Sequence, residues 1–85
     1  MATTDVCNSF SAKHDEEVNF TNNTGKVCVI PGASPAWPFT DPPPLDVPVG
    51  GCQTKIKSKA DLPDGKYTYA PSCCPTVTEK SVTVP

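Results

Sequence analysis

Several things are scarce or missing in this 85-residue chain, and each absence removes a class of function. No basic cluster occurs, and the formal charge of −2 is spread over both signs, which argues against a nucleic-acid partner. No apolar run approaches the roughly 20 residues needed to span a bilayer as a helix. The opening MATTDVCNSF has neither the basic start nor the apolar stretch of a signal peptide. There is no G-x-S-x-G, no phosphate loop, no paired His/Glu metal motif and no C-x-x-C. Histidine occurs once, as His14, so a Cys–His nucleophile pair would need that one residue beside a thiol. His14 lies in a polar segment and reads as a surface histidine, while Asp61 and Asp64 bracket a turn and read as turn formers. The chain is therefore expected not to be an enzyme and to need no cofactor.

Helical periodicity is also missing. Alternation takes its place. In EVNFT (17–21), Val18 and Phe20 share one face and Glu17, Asn19 and Thr21 the other, the period of a half-buried strand. NNTG (22–25) carries turn chemistry, and KVCVI (26–30) is short and β-branched, so the two runs read as neighbouring strands. LDVPV (45–49) places Leu45, Val47 and Val49 on one face, with Pro48 marking an edge. In CQTKIKSK (52–59), Cys52, Thr54 and Ile56 point inward while Gln53, Lys55, Lys57 and Lys59 face water and discourage edge pairing. Tyr67 and Tyr69 face inward in KYTYA (66–70), as do Val82 and Val84 in SVTV (81–84). Residues 1–15 are weakly patterned; Val6 and Phe10 could belong to a ragged first strand. Asp15-Glu16-Glu17 reads as a solvated edge. Six or seven short strands with turns between them predict a single all-β domain, a small antiparallel β-sandwich.

Proline is abundant, and seven of the eleven prolines fall between residues 31 and 48. Proline fixes φ and lacks an N–H, so this stretch reads as a long, stiff, partly polyproline loop. Trp37 and Phe39 within it have two readings: a plug folded over one end of the core, or a binding surface of exposed aromatics.

Cysteine is abundant too. Cys7, Cys28, Cys52, Cys73 and Cys74 can form one or two disulfides in an oxidising compartment, remain as reduced structural thiols, or bind a metal as thiolates. A small domain gains most from such extra constraint. A Cys73–Cys74 vicinal bridge is possible but strained. Asn19-Phe20-Thr21 and Asn22-Asn23-Thr24 match the N-glycosylation pattern, which matters only in a eukaryotic secretory context.

Taken in order, VNFTNNTGKVCVI, LDVPVGGCQTKIKS, LPDGKYTYAPSCC and KSVTV resemble the strand sequence of the cupredoxin family, the β-sandwiches that house blue copper. The resemblance spans about residues 17–84 and implies a Greek-key sandwich. It does not bring the copper site. A blue-copper centre needs two histidines, a cysteine thiolate and usually an axial methionine, and this chain offers only His14 and Met1. Cys28 falls near the family's first histidine and Cys73–Cys74 near its cysteine. The resemblance therefore implies that Cys28 approaches Cys73 or Cys74 at one end of the sandwich. If they bridge, the loop closes about 45 residues and contributes on the order of 4 kcal/mol, leaving Cys52 to pair with Cys7 or with the remaining vicinal thiol. The rival reading is a Cu(I) or Zn module built from Cys28, Cys52, Cys73 and Cys74. Against it, a strand would send adjacent cysteines to opposite faces. The expectation from sequence is a secreted or periplasmic monomer with a structural or binding role and an unidentified protein or small-molecule partner.

Overall fold

The computed structural model describes residues 1–74 and 79–85, and all regular structure within them is β. Eight short strands follow one another: β1 (Ala2–Asp5), β2 (Phe10–Ser11), β3 (Glu17–Thr21), β4 (Cys28–Ile30), β5 (Leu45–Val47), β6 (Cys52–Lys55), β7 (Gly65–Tyr69) and β8 (Lys80–Val84). They form three small sheets, ordered β1-β3-β6, β2-β8-β7 and β4-β5. The chain thus moves repeatedly from one sheet to another. The expected count of six or seven strands is corrected to eight, because residues 2–11 form two short strands rather than one ragged one. The expectation of purely antiparallel pairing is also corrected. β1 lies parallel to β3 and β2 parallel to β8, while β3–β6, β4–β5 and β7–β8 are antiparallel.

The alternation seen in the sequence supplies one buried core to which all three sheets contribute. Val18 and Phe20 of β3, Cys28 and Ile30 of β4, Leu45 and Val47 of β5, and Tyr67, Tyr69, Val82 and Val84 of β7 and β8 are buried in one cluster. Val49 is an exception to the expected pattern: it is exposed, because β5 ends at Val47 before Pro48. β6 is likewise shorter than residues 52–59, although Thr54 and Ile56 are buried and Gln53, Lys55 and Lys59 exposed as the alternation requires. The Tyr69 hydroxyl is buried without a hydrogen-bond partner among the described residues, and burial pushes its pKa well above the ordinary phenol value.

The proline-rich stretch is a strap between sheet edges. Ser34 exchanges two backbone hydrogen bonds with Thr68 of β7, each of 2.9 Å. Further along, Thr40 N–H donates to Lys55 O (2.8 Å) and Lys57 N–H to Pro38 O (2.9 Å), so residues 38–40 run beside β6. Phe39 is thereby driven into the core, edge-on to Phe20, Tyr69 and Trp37.

Two polar features fix the turns. Asn22 is buried and uses its whole amide: Nδ2 donates to Lys26 O (2.7 Å) and Val47 O (2.8 Å), and Oδ1 accepts from Thr24 N (3.0 Å) and Thr24 Oγ1 (2.7 Å). That ties the β3–β4 turn to β5 and explains why β4 begins only at Cys28. Between β5 and β6, Gly50 and Gly51 both adopt positive φ, at 96° and 95°. A Cβ at Gly51 would stand 2.0 Å from the Phe20 carbonyl oxygen, whereas one at Gly50 would meet nothing within 4 Å.

Alanine at the two glycines should therefore act unequally. Gly50→Ala should cost about 1–2 kcal/mol, the backbone penalty alone. Gly51→Ala should cost more than about 2 kcal/mol, since β3 must also move. Urea midpoints at constant m-value decide this; equal losses would contradict the account.

Candidate functional site: the sulfur pole

Four of the five cysteines meet at one end of the molecule. Cys7 bonds to Cys74 with a Cα separation of 5.5 Å, and Cys28 bonds to Cys73 with a Cα separation of 4.9 Å. Both separations fall within the roughly 7 Å that a disulfide tolerates. The Sγ atoms of Cys7, Cys73 and Cys74 all lie within 4.8 Å of one another. The vicinal pair thus serves two bridges, one on each side.

Local sequence sets up each half. Cys7 follows β1 in a turn closed by Asp5, whose Oδ1 accepts from Cys7 N–H (2.9 Å) and whose carbonyl accepts from Asn8 N–H (3.0 Å). Cys28 opens β4 with its side chain fully buried. On the other side, β7 ends at Tyr69, and Pro71 cannot extend its ladder. Ser72 then docks on β4 twice: its N–H donates to Val29 O (3.0 Å), and its Oγ accepts from Val29 N–H (3.0 Å). Clamping Ser72 beside Val29 sets Cys73 beside Cys28. Because residues 71–74 lie beyond the end of β7, neighbouring side chains need not diverge, and both vicinal sulfurs turn to the same cluster. The expectation that a strand would separate them is corrected on that ground.

The two closed loops are nested. Cys28–Cys73 spans 45 residues and Cys7–Cys74 spans 67. Once the inner bridge exists, the path from Cys7 to Cys74 is the 21 residues from 7 to 28 plus the single step from 73 to 74, about 22. The chain-entropy relation then assigns about 4 kcal/mol to the inner bridge and about 3 kcal/mol to the outer one. Their sum is comparable with the whole net stability of a domain this size, roughly 4–13 kcal/mol.

Cys52 is outside the cluster. It begins β6 opposite Phe20, half-buried, and carries a free thiol. Burial, with the Asp41 carboxylate, pushes its pKa up, which keeps it protonated and weakly nucleophilic. The pairing of Cys52 with Cys7 or a vicinal thiol is thus corrected: Cys74 takes Cys7, and β6 belongs to another part of the fold. A metal set of Cys28, Cys52, Cys73 and Cys74 is not assembled either; Cys7 stands in the place given to Cys52.

The other expected residues fall as follows. Phe39 is completely buried, so it is core and not binding surface; Trp37 is half-buried against it, with Nε1–H donating to Asp41 O (2.6 Å). Asn22 of the second glycosylation motif has its amide committed inside the fold, whereas Asn19 of the first lies mid-strand in β3. Beside the bridges opens a cleft of about 510 Å³ lined by Asn23, Thr24, Lys26, Ser72, Cys73 and Cys74. Sequence reasoning did not point to this cleft, because its walls come from the Asn22 turn and the Ser72 clamp, two features that exist only once the chain is folded.

His14 serves elsewhere. Its Nδ1 faces Lys57 O at 3.1 Å and its Nε2 faces Asp64 Oδ1 at 2.7 Å. Both partners are obligate acceptors, so both ring nitrogens donate only in the imidazolium form. The bond to Asp64 accordingly raises the His14 pKa, and the bond to His14 lowers that of Asp64. The contact joins the β2–β3 turn to the β6–β7 turn and leaves His14 no free nitrogen to activate a thiol.

Two outcomes follow from this geometry. Replacing both Cys7 and Cys74 by serine should lower stability by about 3 kcal/mol with the inner bridge intact, read from urea unfolding; no change in midpoint would contradict the nested-loop account. For the His14–Asp64 pair, a raised histidine pKa contributes stability fully below its unfolded value near 6.5 and loses it as pH rises through the folded value. A lowered aspartate pKa contributes above about 3.9 and is lost as pH falls through the folded value. The advantage of the native chain over Asp64→Asn should thus be largest between about pH 4 and 6.5 and shrink above it; a difference that is flat from pH 5 to 9 would refute it.

Comparison of the chain with models of known protein families, with curated proteins and with solved structures finds no match in any of the three.

Proposed function

We propose that the protein is a non-catalytic, disulfide-stapled β-sandwich module of the secreted or periplasmic kind, with a structural or binding role centred on its sulfur pole. One observation carries this reading: two nested bridges converge on a single vicinal pair, and the only histidine is held by Lys57 O and Asp64. Bridges of this kind persist in oxidising compartments. They are inert as nucleophiles, and the remaining thiol is half-buried with a raised pKa.

The architecture is a cupredoxin-like Greek key in which two disulfides occupy the end where that family seats an ion. Repeated passage of the chain between sheets, with β3 beside β6 and β2 beside β8, supports it. So does one core lined from all three sheets. The protein works as a monomer. Its partner, a protein or small molecule, meets the cleft beside the bridges, which Asn23, Thr24, Lys26 and Ser72 line together with Cys73 and Cys74. A concave site with a few convergent polar groups is the usual form of a ligand site.

Non-reducing peptide mapping tests the reading. Protein recovered from an oxidising compartment should weigh four hydrogens less than the free-thiol chain, yield the linkages 7–74 and 28–73, and expose Cys52 alone to alkylation after unfolding. Five alkylatable thiols would overturn it.

A further inference from the structure

The same four sulfurs have a second chemistry open to them. We infer that Cys7, Cys28, Cys73 and Cys74, once reduced, form a tetrathiolate site for one zinc ion, with Cys52 taking no part. This goes beyond the stapled module, which concerns the oxidised chain, and either can fail without the other.

Geometry carries the inference. A tetrahedral zinc–thiolate centre has Zn–S bonds of about 2.3 Å, hence sulfurs roughly 3.8 Å apart. Three sulfurs, from Cys7, Cys73 and Cys74, already lie within 4.8 Å of one another. The fourth, from Cys28, is bonded to Cys73. Cys28 Sγ stands outside that triad, so reduction must part it from Cys73 Sγ and let it swing toward Cys7 and Cys74. In the folded chain each ligand has its own backbone support. The Asp5 turn holds Cys7, β4 holds Cys28, and the Ser72 clamp on Val29 holds the vicinal pair. These ligands come from three separate parts of the chain, so the site exists only in the folded state.

Charge and access agree. Zinc with four thiolates carries a net charge of −2. Lys26 lines the same cleft as Cys73 and Cys74, which puts a cationic residue beside the centre. Thiolate ligands and a closed four-coordinate shell select a soft ion such as zinc over magnesium or calcium.

The conversion balances. A dithiol or phosphine reductant supplies four electrons, which with four protons turn two S–S bonds into four thiols. Zinc(II) then displaces the four thiol protons and keeps its own oxidation state. Two equivalents of a small-molecule disulfide, taking up four electrons and four protons to become four thiols, run it the other way, forming both bridges and releasing the ion. Since reduction removes the two loop closures, metal binding and refolding are coupled.

The test uses the full chain, reduced with a phosphine under argon and freed of reductant, then given one equivalent of zinc. Native mass spectrometry should show one zinc per chain, far-UV circular dichroism should recover the β spectrum, and alkylation should leave Cys7, Cys28, Cys73 and Cys74 unlabelled. Cys52→Ser should bind zinc as tightly as the native chain, and Cys7→Ser more than about 100-fold more weakly. Absence of a zinc adduct overturns the inference. So does labelling of those four cysteines in the zinc-loaded chain, or equal weakening by Cys52→Ser and Cys7→Ser, because a disordered five-thiol chain would behave in that way.

Discussion

The convergence of Cys7 and Cys28 on the adjacent pair Cys73–Cys74 is the constraint on which the rest of the molecule leans. Through it the end of β1, the start of β4 and the segment after β7 become one covalent unit. The need is plain from the size. The strands are two to five residues long, and the sheets have two or three strands each. Few of their ladders would persist alone in water. Closing the long loops in the unfolded chain removes much of the entropy that those ladders would otherwise have to offset.

What the bridges do at one end, aromatic packing does through the middle. Phe10 stands edge-on to Phe20, Phe20 to Phe39, and Phe39 to both Trp37 and Tyr69. This chain of contacts runs from β2 through β3 and the proline-rich strap to β7, so it ties two sheets and the longest loop together. The strap is anchored at Ser34 on β7 and at Phe39–Thr40 on β6. Proline's fixed φ makes such a strap cheap to order, because its unfolded state is already restricted. The proline-rich loop thus turns Phe39 fully and Trp37 partly inward.

Much of this was legible in the sequence, for reasons that can be named. Period-two alternation located β3, β5, β6, β7 and β8, because a half-buried strand must bury every second side chain. The turns at Asn22–Gly25 and Gly50–Gly51 were visible from residue chemistry. What escaped depended on distant contacts. Residues 2–11 have little alternation, and only their parallel partners, β3 and β8, make them strands. Val49 continued an apolar pattern, but Pro48 ended the ladder before it. Pairing was the hardest: spacing says nothing about which thiol meets which, and Cys7 and Cys52 were equally available on paper. The fold separates them by placing Cys7 in the Asp5 turn near the vicinal pair and Cys52 opposite Phe20. Nor could spacing show that Asn22 is a buried hub rather than a plain turn residue.

The most direct measurement compares denaturant unfolding of the oxidised chain with that of the fully reduced, metal-free chain. If two nested closures hold this fold, reduction removes about 7 kcal/mol, and the cooperative transition either moves to very low denaturant or vanishes. A reduced, metal-free chain that unfolds cooperatively at the same midpoint as the oxidised one would contradict the account.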